Sequence, residues 1–333
     1  MESAEHLIIN QGVRSHHWIQ SVFSKRSLPV VVILFSLLAH LLVPNRQVVA
    51  SNSAYTGILL LLAVFYAGWS FLAVWKPNVK SNLSEHAPLA SLSLFLFVLW
   101  ELLTQKWGLL PMPYFPSQIK VLDAIIHEFD SLAVSTAYSL RLLVLGYTIG
   151  TILGLATGIL MGWYHQFRYW VNPFIRILGP IPSTAWIPIV LVVFPTSFSA
   201  SVFLLVLAAW FPVTVMTWTG ISNVNKSFFE VAKTLGANEQ YLIRKIAIPA
   251  AFPQIFIGLF MGTGTSFVTL IVAEMLGVKA GLGFYITWAQ GWGEYYKVYA
   301  ALFIMALLFS GIITLLFKVK DKVLIWQKGL IKW

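Results

Sequence analysis

The sequence predicts an all-α polytopic membrane protein that crosses the bilayer about eight times. Three observations carry that expectation: 58% of the residues are hydrophobic and only 10% are charged, apolar runs of spanning length recur along the chain, and Lys and Arg gather on one set of flanks. A soluble domain carries about 25% charged residues, which excludes that class. The net charge of +10 does not point to nucleic acid, because the cations sit at the ends of apolar runs, where they orient a membrane protein. The chain has no cysteine, hence no disulfide, thiolate metal site or catalytic thiol. The first apolar run starts near residue 28 behind a polar tail, and no small-residue cleavage site follows it, so no cleavable signal peptide is expected.

A spanning helix needs about 20 mostly apolar residues, because the hydrocarbon core is about 30 Å thick and each residue rises 1.5 Å. The candidates are 28–44, which is short, then 55–75, 88–107, 133–163, 170–194, 198–221, 254–277 and 297–317. Pro180, Pro182 and Pro188 break the fifth. Fifteen cations fall on one side: Arg14, Lys25, Arg26, Lys76, Lys80, Arg168, Lys226, Lys233, Arg244, Lys245, Lys318, Lys320, Lys322, Lys328 and Lys332. Five fall on the other: Arg46, Lys106, Lys120, Lys279 and Lys297. The bias places both termini and the 222–253 loop in the cytoplasm, and an even number of spans agrees.

That loop is the polar exception in the chain. Ser227 and Glu230 have the S-x-x-E spacing of a capping box. Phe228, Val231, Ala232 and Leu235 follow at i, i+3, i+4 and i+7, one apolar face on a short helix. Gly236 is placed to stop it in the left-handed conformation. Asn238 is placed to cap a second helix over 239–247, which Pro249 and Pro253 end. A helix this short is unstable alone in water. It lies either on lipid or in a groove of a cytoplasmic subunit.

These residues resemble the EAA loop of ABC-importer permeases, E-A-A-x3-G-x9-I-x-L-P. The chain reads Glu230-Val231-Ala232, Gly236, Ile246, Ile248 and Pro249, departing at Val231 and Ile248. Pro116-Ser117, Pro180-Ile181-Pro182, Ile187-Pro188, Pro249-Ala250-Ala251, Val272-Ala273-Glu274-Met275-Leu276-Gly277 and Gly281-Leu282-Gly283 extend the likeness over about 88–333 to the nitrate/sulfonate/taurine/bicarbonate permease family. The resemblance implies a type I importer core of six spans over 88–318, preceded by a tail and two extra spans over 1–87 and followed by a basic tail over 319–333. It implies a paired permease, two cytoplasmic ATPase subunits that bind ATP and Mg, and a periplasmic or lipid-anchored binding protein. Ser227, Phe228, Glu230, Val231, Ala232, Leu235, Gly236 and Ala237 would then couple to the ATPase. This chain would hold no cofactor, and its location would be the bacterial inner membrane.

Other features each have two readings. Gly146, Gly150, Gly154, Gly158 and Gly162 recur every four residues, for close packing within one subunit or for a sliding face at a dimer interface. Gly258, Gly262, Ser266 and Ala273 form a weaker stripe of the same kind. Arg141 and Glu274 are charges inside spans that either pair or face an aqueous pathway, and Glu101 lies late in the third span. Thr263, Thr265, Ser266 and Thr269, with Ser183 and Thr184 beside the prolines, either line a pathway or bond to backbone. Trp107, Trp163, Trp170, Trp288, Trp292 and Trp326 flank spans as an aromatic belt at lipid headgroups.

No H-E-x-x-H spacing, nucleophile elbow or phosphate-binding Gly loop is present. The sequence therefore reads as non-catalytic, and the resemblance implies a permease subunit that imports a small anion by alternating access. The alternatives are a passive or ion-coupled transporter, a membrane enzyme, or an importer of an uncharged or aromatic solute.

Overall fold

The computed structural model describes residues 27–47 and 53–325. Arg14, Lys25, Arg26, Lys328, Lys332 and Trp326 lie outside the described residues. All regular elements among the described residues are helical. Six helices are long and apolar enough to cross a membrane, a bent pair makes up to a seventh, and Leu28–Leu42 is a shorter apolar helix. The expected count of eight is thus not reached by length and composition, because the 15-residue first helix rises only about 23 Å at 1.5 Å per residue.

The described residues divide into two compact units, those up to 127 with 293–297, and 128–292 with 298–325. Residue 87, where the extra N-terminal segment is expected to end, lies within one continuous helix, Pro77–Glu101, which carries Pro88.

The first unit contains α1 (Leu28–Leu42), α2 (Ser53–Trp75), α3 (Pro77–Glu101) and α4 (Gln118–His127), with a π-turn over Leu102–Lys106 at the end of α3. Proline at the first turn of α1 and of α3 starts each helix where a missing N–H costs nothing. Ile33, Leu37, Tyr55, Leu59 and Ile119 form its apolar core. Next to it lies a buried polar cluster. His40 Nδ1 is 2.7 Å from Glu101 Oε1, and His40 Nε2 is 3.0 Å from Thr56 Oγ1. The Tyr55 hydroxyl lies 3.1 Å from Glu101 Oε2 and 3.0 Å from Gln118 Oε1. Lys106 Nζ stands 4.0 Å from Glu101 Oε1 and donates to the carbonyls of His40 and Val43 and to Asn45 Oδ1, closing the C-terminus of α1.

The second unit contains α5 (Phe129–Trp163), α6 (His165–Leu178), α7 (Ile187–Val193), α8 (Ser197–Ser222), α9 (Lys226–Thr234), α10 (Glu239–Tyr241), α11 (Ile248–Gly277), α12 (Leu282–Gly291) and most of α13 (Tyr295–Val323). α6 and the segment Ser183–Val193 meet at 84° across the Gly179–Pro182 break. Pro180 and Pro182 lie at that break, whereas Pro188 sits in the first turn of α7 and interrupts nothing. α8 runs between α5 and α11. The glycines at 146, 150, 154, 158 and 162 meet Leu205, Ala209, Val213, Thr217 and Ile221, one turn of α8 after another. A Cβ at Gly150 would stand 2.6 Å from the Val206 carbonyl oxygen, and one at Gly158 would stand 2.7 Å from that of Thr214. These glycines therefore serve close packing within one chain. Gly258 of α11 meets Met216, Pro212 and Val213 of α8, and Gly262 meets Val213 and Ala209. Without a hydrophobic driving force between helices in lipid, such close approach is what supplies contact energy.

Candidate coupling site

The loop between α8 and α11 carries the site. Asn225, not Ser227, caps α9, since its Oδ1 accepts from the Ser227 N–H at 3.0 Å and from the Ser227 hydroxyl at 2.9 Å. The expected capping box is thus replaced by a cap two residues earlier, and Glu230 is exposed. The C-terminus closes as expected at Gly236, with φ +82°. The Gly236 N–H donates to Lys233 O at 2.9 Å and the Ala237 N–H to Ala232 O at 3.0 Å, the paired bonds of a Schellman motif. Asn238 Oδ1 then accepts from the Tyr241 N–H at 2.9 Å, capping α10. Pro249 and Pro253 do not end that helix. It widens into a π-turn over Leu242–Ala247 and continues into α11, with Pro249 in its first turn and Pro253 within it. The wider turn carries the chain into α11 at the point where proline would otherwise break it.

The expected apolar face of α9 is split. Ala232 is buried, whereas Phe228, Val231 and Leu235 are 57%, 60% and 83% exposed. The exposed side chains, with Gly236, Ala237, Tyr241, Lys245, Ile246 and Pro249, line an open, mainly apolar groove of about 960 Å³. Behind it, Phe229 stacks edge-to-face on Trp163 at 5.5 Å. The Trp163 indole N–H donates to Glu239 Oε1 at 2.7 Å. Both aromatics join the cluster of Ile221, Ala247, Ala251 and Ile255. The last residue of α5 thus grips both α9 and α10. Sequence spacing singled out Phe228 and passed over Phe229. Adjacent residues of a helix face different ways, and nothing local identifies Trp163 as the partner.

The candidate pathway residues are scattered. The Arg141 guanidinium lies over the Phe198 ring at 5.2 Å, so the expected Arg141–Glu274 pair does not form. Glu274, 1% exposed, instead accepts from the Ser139 hydroxyl and the Gly283 N–H, each at 2.9 Å. Ser183 and Thr269 do meet, hydroxyl to hydroxyl at 2.7 Å, while Thr184, next to Ser183 in sequence, is half-buried. Thr263 donates to its own helix at Leu259 O, Thr265 reaches Ala208 O on α8, and Thr269 also donates to Thr265 O. Thr263, Ser266 and Thr269 are buried within the chain.

The sequence matches the family described as binding-protein-dependent transport system inner membrane component over residues 146–323, more than half of the chain. The chain belongs to that family. It is therefore a multi-pass inner-membrane permease of the ABC transporter class. Such a permease is a transport component, with ATP hydrolysis in a separate subunit. The bicarbonate transport system permease protein CmpB of Synechococcus elongatus is 28% identical over 77% of this permease and 92% of its own length. The nitrate import permease protein NrtB of Synechocystis is 30% identical over 66% of this permease and 81% of its own length. An inward-facing structure of the MetNI methionine ABC transporter covers 59% of this permease and 97% of its own chain, with a TM-score of 0.51 and 18% identity. That likeness establishes the fold alone. The family match takes in all of α9, the groove and Trp163.

Proposed function

We propose that the permease works as a homodimer in an ABC importer, with two cytoplasmic ATPase subunits seated in its grooves. ATP and Mg would bind in those subunits. Their closure would push α9, and Phe229 and Trp163 would pass the push to α5, rocking the membrane helices between inward-open and outward-open. The observation that carries this reading is the groove, since three large apolar side chains stand exposed on a helix whose ends and inner face are already satisfied. The cation bias supports cytoplasmic termini and a cytoplasmic groove. A binding protein would deliver substrate on the opposite side. The substrate we propose is a small anion of the bicarbonate, nitrate, taurine or aliphatic sulfonate class, supported by the substrates named for the relatives.

Purification from native membranes in mild detergent tests the assembly. A stoichiometric Walker-motif ATPase is the expected companion. Gly236→Asp is the decisive variant. An added Cβ at 236 meets nothing within 4 Å in this chain, and Asp is among the few residues that tolerate the left-handed conformation. The protein is expected in the membrane at normal abundance with bound ATPase reduced at least tenfold. Wild-type ATPase recovery with Gly236→Asp would sink the docking role. Titrating a co-purified binding protein with bicarbonate, nitrate, taurine and alkanesulfonates, against uncharged and aromatic solutes, then decides the substrate class.

A further inference from the structure

The short helix α12 has an N-terminus that it does not cap itself. Its N-cap residue is Gly281, with φ +133°, which offers no side chain to the first free N–H groups. Those groups are satisfied from elsewhere in the fold. The Leu282 N–H donates to Ser139 Oγ of α5 at 2.8 Å. The Gly283 N–H donates to Glu274 Oε2 of α11 at 2.9 Å. Ser139 in turn donates its hydroxyl proton to that same Oε2 at 2.9 Å, so three helices share one joint. Ser139, Glu274 and Leu282 are at most 2% exposed, and a buried bond of this kind is costly to leave half-made. The backbone has been thinned to admit the carboxylate. A Cβ at Gly281 would fall 2.5 Å from the Glu274 carboxyl carbon, and one at Gly283 would fall 2.6 Å from Ile271 O and 2.7 Å from Glu274 Cβ.

We infer that Glu274 and Ser139 are positioning residues that cap α12 in trans, so that α12 keeps its place only while α5 and α11 keep theirs. A self-capped helix would ride on either span alone, whereas this one registers their separation. The inference deepens the alternating-access reading and rests on it for one consequence. When α5 and α11 shift, the cap must loosen or carry α12 along. α12 supplies Phe284, Tyr285 and Trp288 to an open pocket of about 520 Å³ that also takes Glu128, Asp130 and Lys279. On the cation bias that pocket opens away from the ATPase side, so the joint would link the outer mouth to the cytoplasmic stroke.

The absence of cysteine makes thiol protection a clean measurement. Ala289→Cys puts a reporter on the buried face of α12, and Ala209→Cys puts a control in the α5–α8 seam, both at positions 0% exposed. In full-length permease in nanodiscs, Glu274→Ala is expected to speed maleimide modification at 289 at least tenfold and to leave 209 protected. Glu274→Gln keeps an oxygen able to accept both bonds and is expected to stay within threefold of the parent. Ser139→Ala should match Glu274→Ala in direction, with the double variant no faster than the faster single one, as one shared joint requires. Rates within twofold of the parent in both single variants overturn the cap, and so does Glu274→Gln reacting as fast as Glu274→Ala. If Glu274→Ala also exposes 209, Ser139→Ala, which removes one oxygen, decides. Trapping the complete transporter with ATP and vanadate is expected to change the rate at 289 at least threefold. A cap that passes the first tests but shows no trapping effect stands, and the alternating-access reading fails.

Discussion

In the unit that ends at His127, helices are joined by groups that carry or share charge, with Glu101 at the centre of His40, Tyr55 and Lys106. In the unit that starts at Glu128, the main seam is built on five glycines of α5 set against successive turns of α8, with Thr157 bonded to Thr214 across it and the Arg141 guanidinium over the Phe198 ring. Both solve the same problem, since lipid tails give apolar helices no reason to prefer one another. The polar joint is directional and holds one register, because displacement strands a buried charge. The glycine seam is a smooth track whose energy is spread over many small contacts. A scaffold suits the first design, and the rocking part that we propose suits the second.

Breaking the polar joint should have the largest effect. Glu101→Ala takes the carboxylate from His40 Nδ1 and the counter-charge from buried Lys106, and is expected to cost about 3–5 kcal/mol, read as a loss of unfolding free energy in denaturing detergent. Next comes the seam. Gly150→Ala forces α5 and α8 apart at a backbone oxygen and should cost about 1–3 kcal/mol, with α5–α8 cysteine cross-linking slowed in proportion. Tyr55→Phe removes one hydroxyl from the joint while Glu101 keeps His40 and Lys106, so about 1 kcal/mol is expected. Asn225→Ala tests the loop away from both regions, and the lost cap should cost about 1 kcal/mol locally, measured as faster amide exchange over 226–234 with the global midpoint unchanged. If Gly150→Ala proved costlier than Glu101→Ala, the contrast between a locked joint and a yielding track would be reversed.

Much of this was legible before any coordinates. The long apolar runs, the glycine repeat and the Gly236 stop all follow from local rules of length, period and backbone conformation, and the loop's spacing carried the family resemblance. The partners of buried charges were not legible. Arg141 and Glu274 invited pairing by depth and sign, yet Glu274 turned to a serine and a backbone amide. Its place late in a span does not reveal that Glu101 organises the first unit. The cap at Asn225 and the continuation through Pro249 and Pro253 were missed for a related reason. Neighbouring polar residues compete for the same free amides, and here Asn225 Oδ1 takes the Ser227 N–H.

The sequence by itself determined that this chain lives in a membrane, which segments are helical, and that one polar loop stands apart from the apolar spans. Those properties depend on transfer to lipid and on 3.6-residue periodicity, which are set residue by residue. Only the tertiary structure decided that Phe229 meets Trp163, that Glu274 and Ser139 each accept from an N–H at the start of α12, and that the glycines face α8 of their own chain. Such contacts join positions tens of residues apart. Their geometry depends on how whole helices cross, which no local pattern encodes.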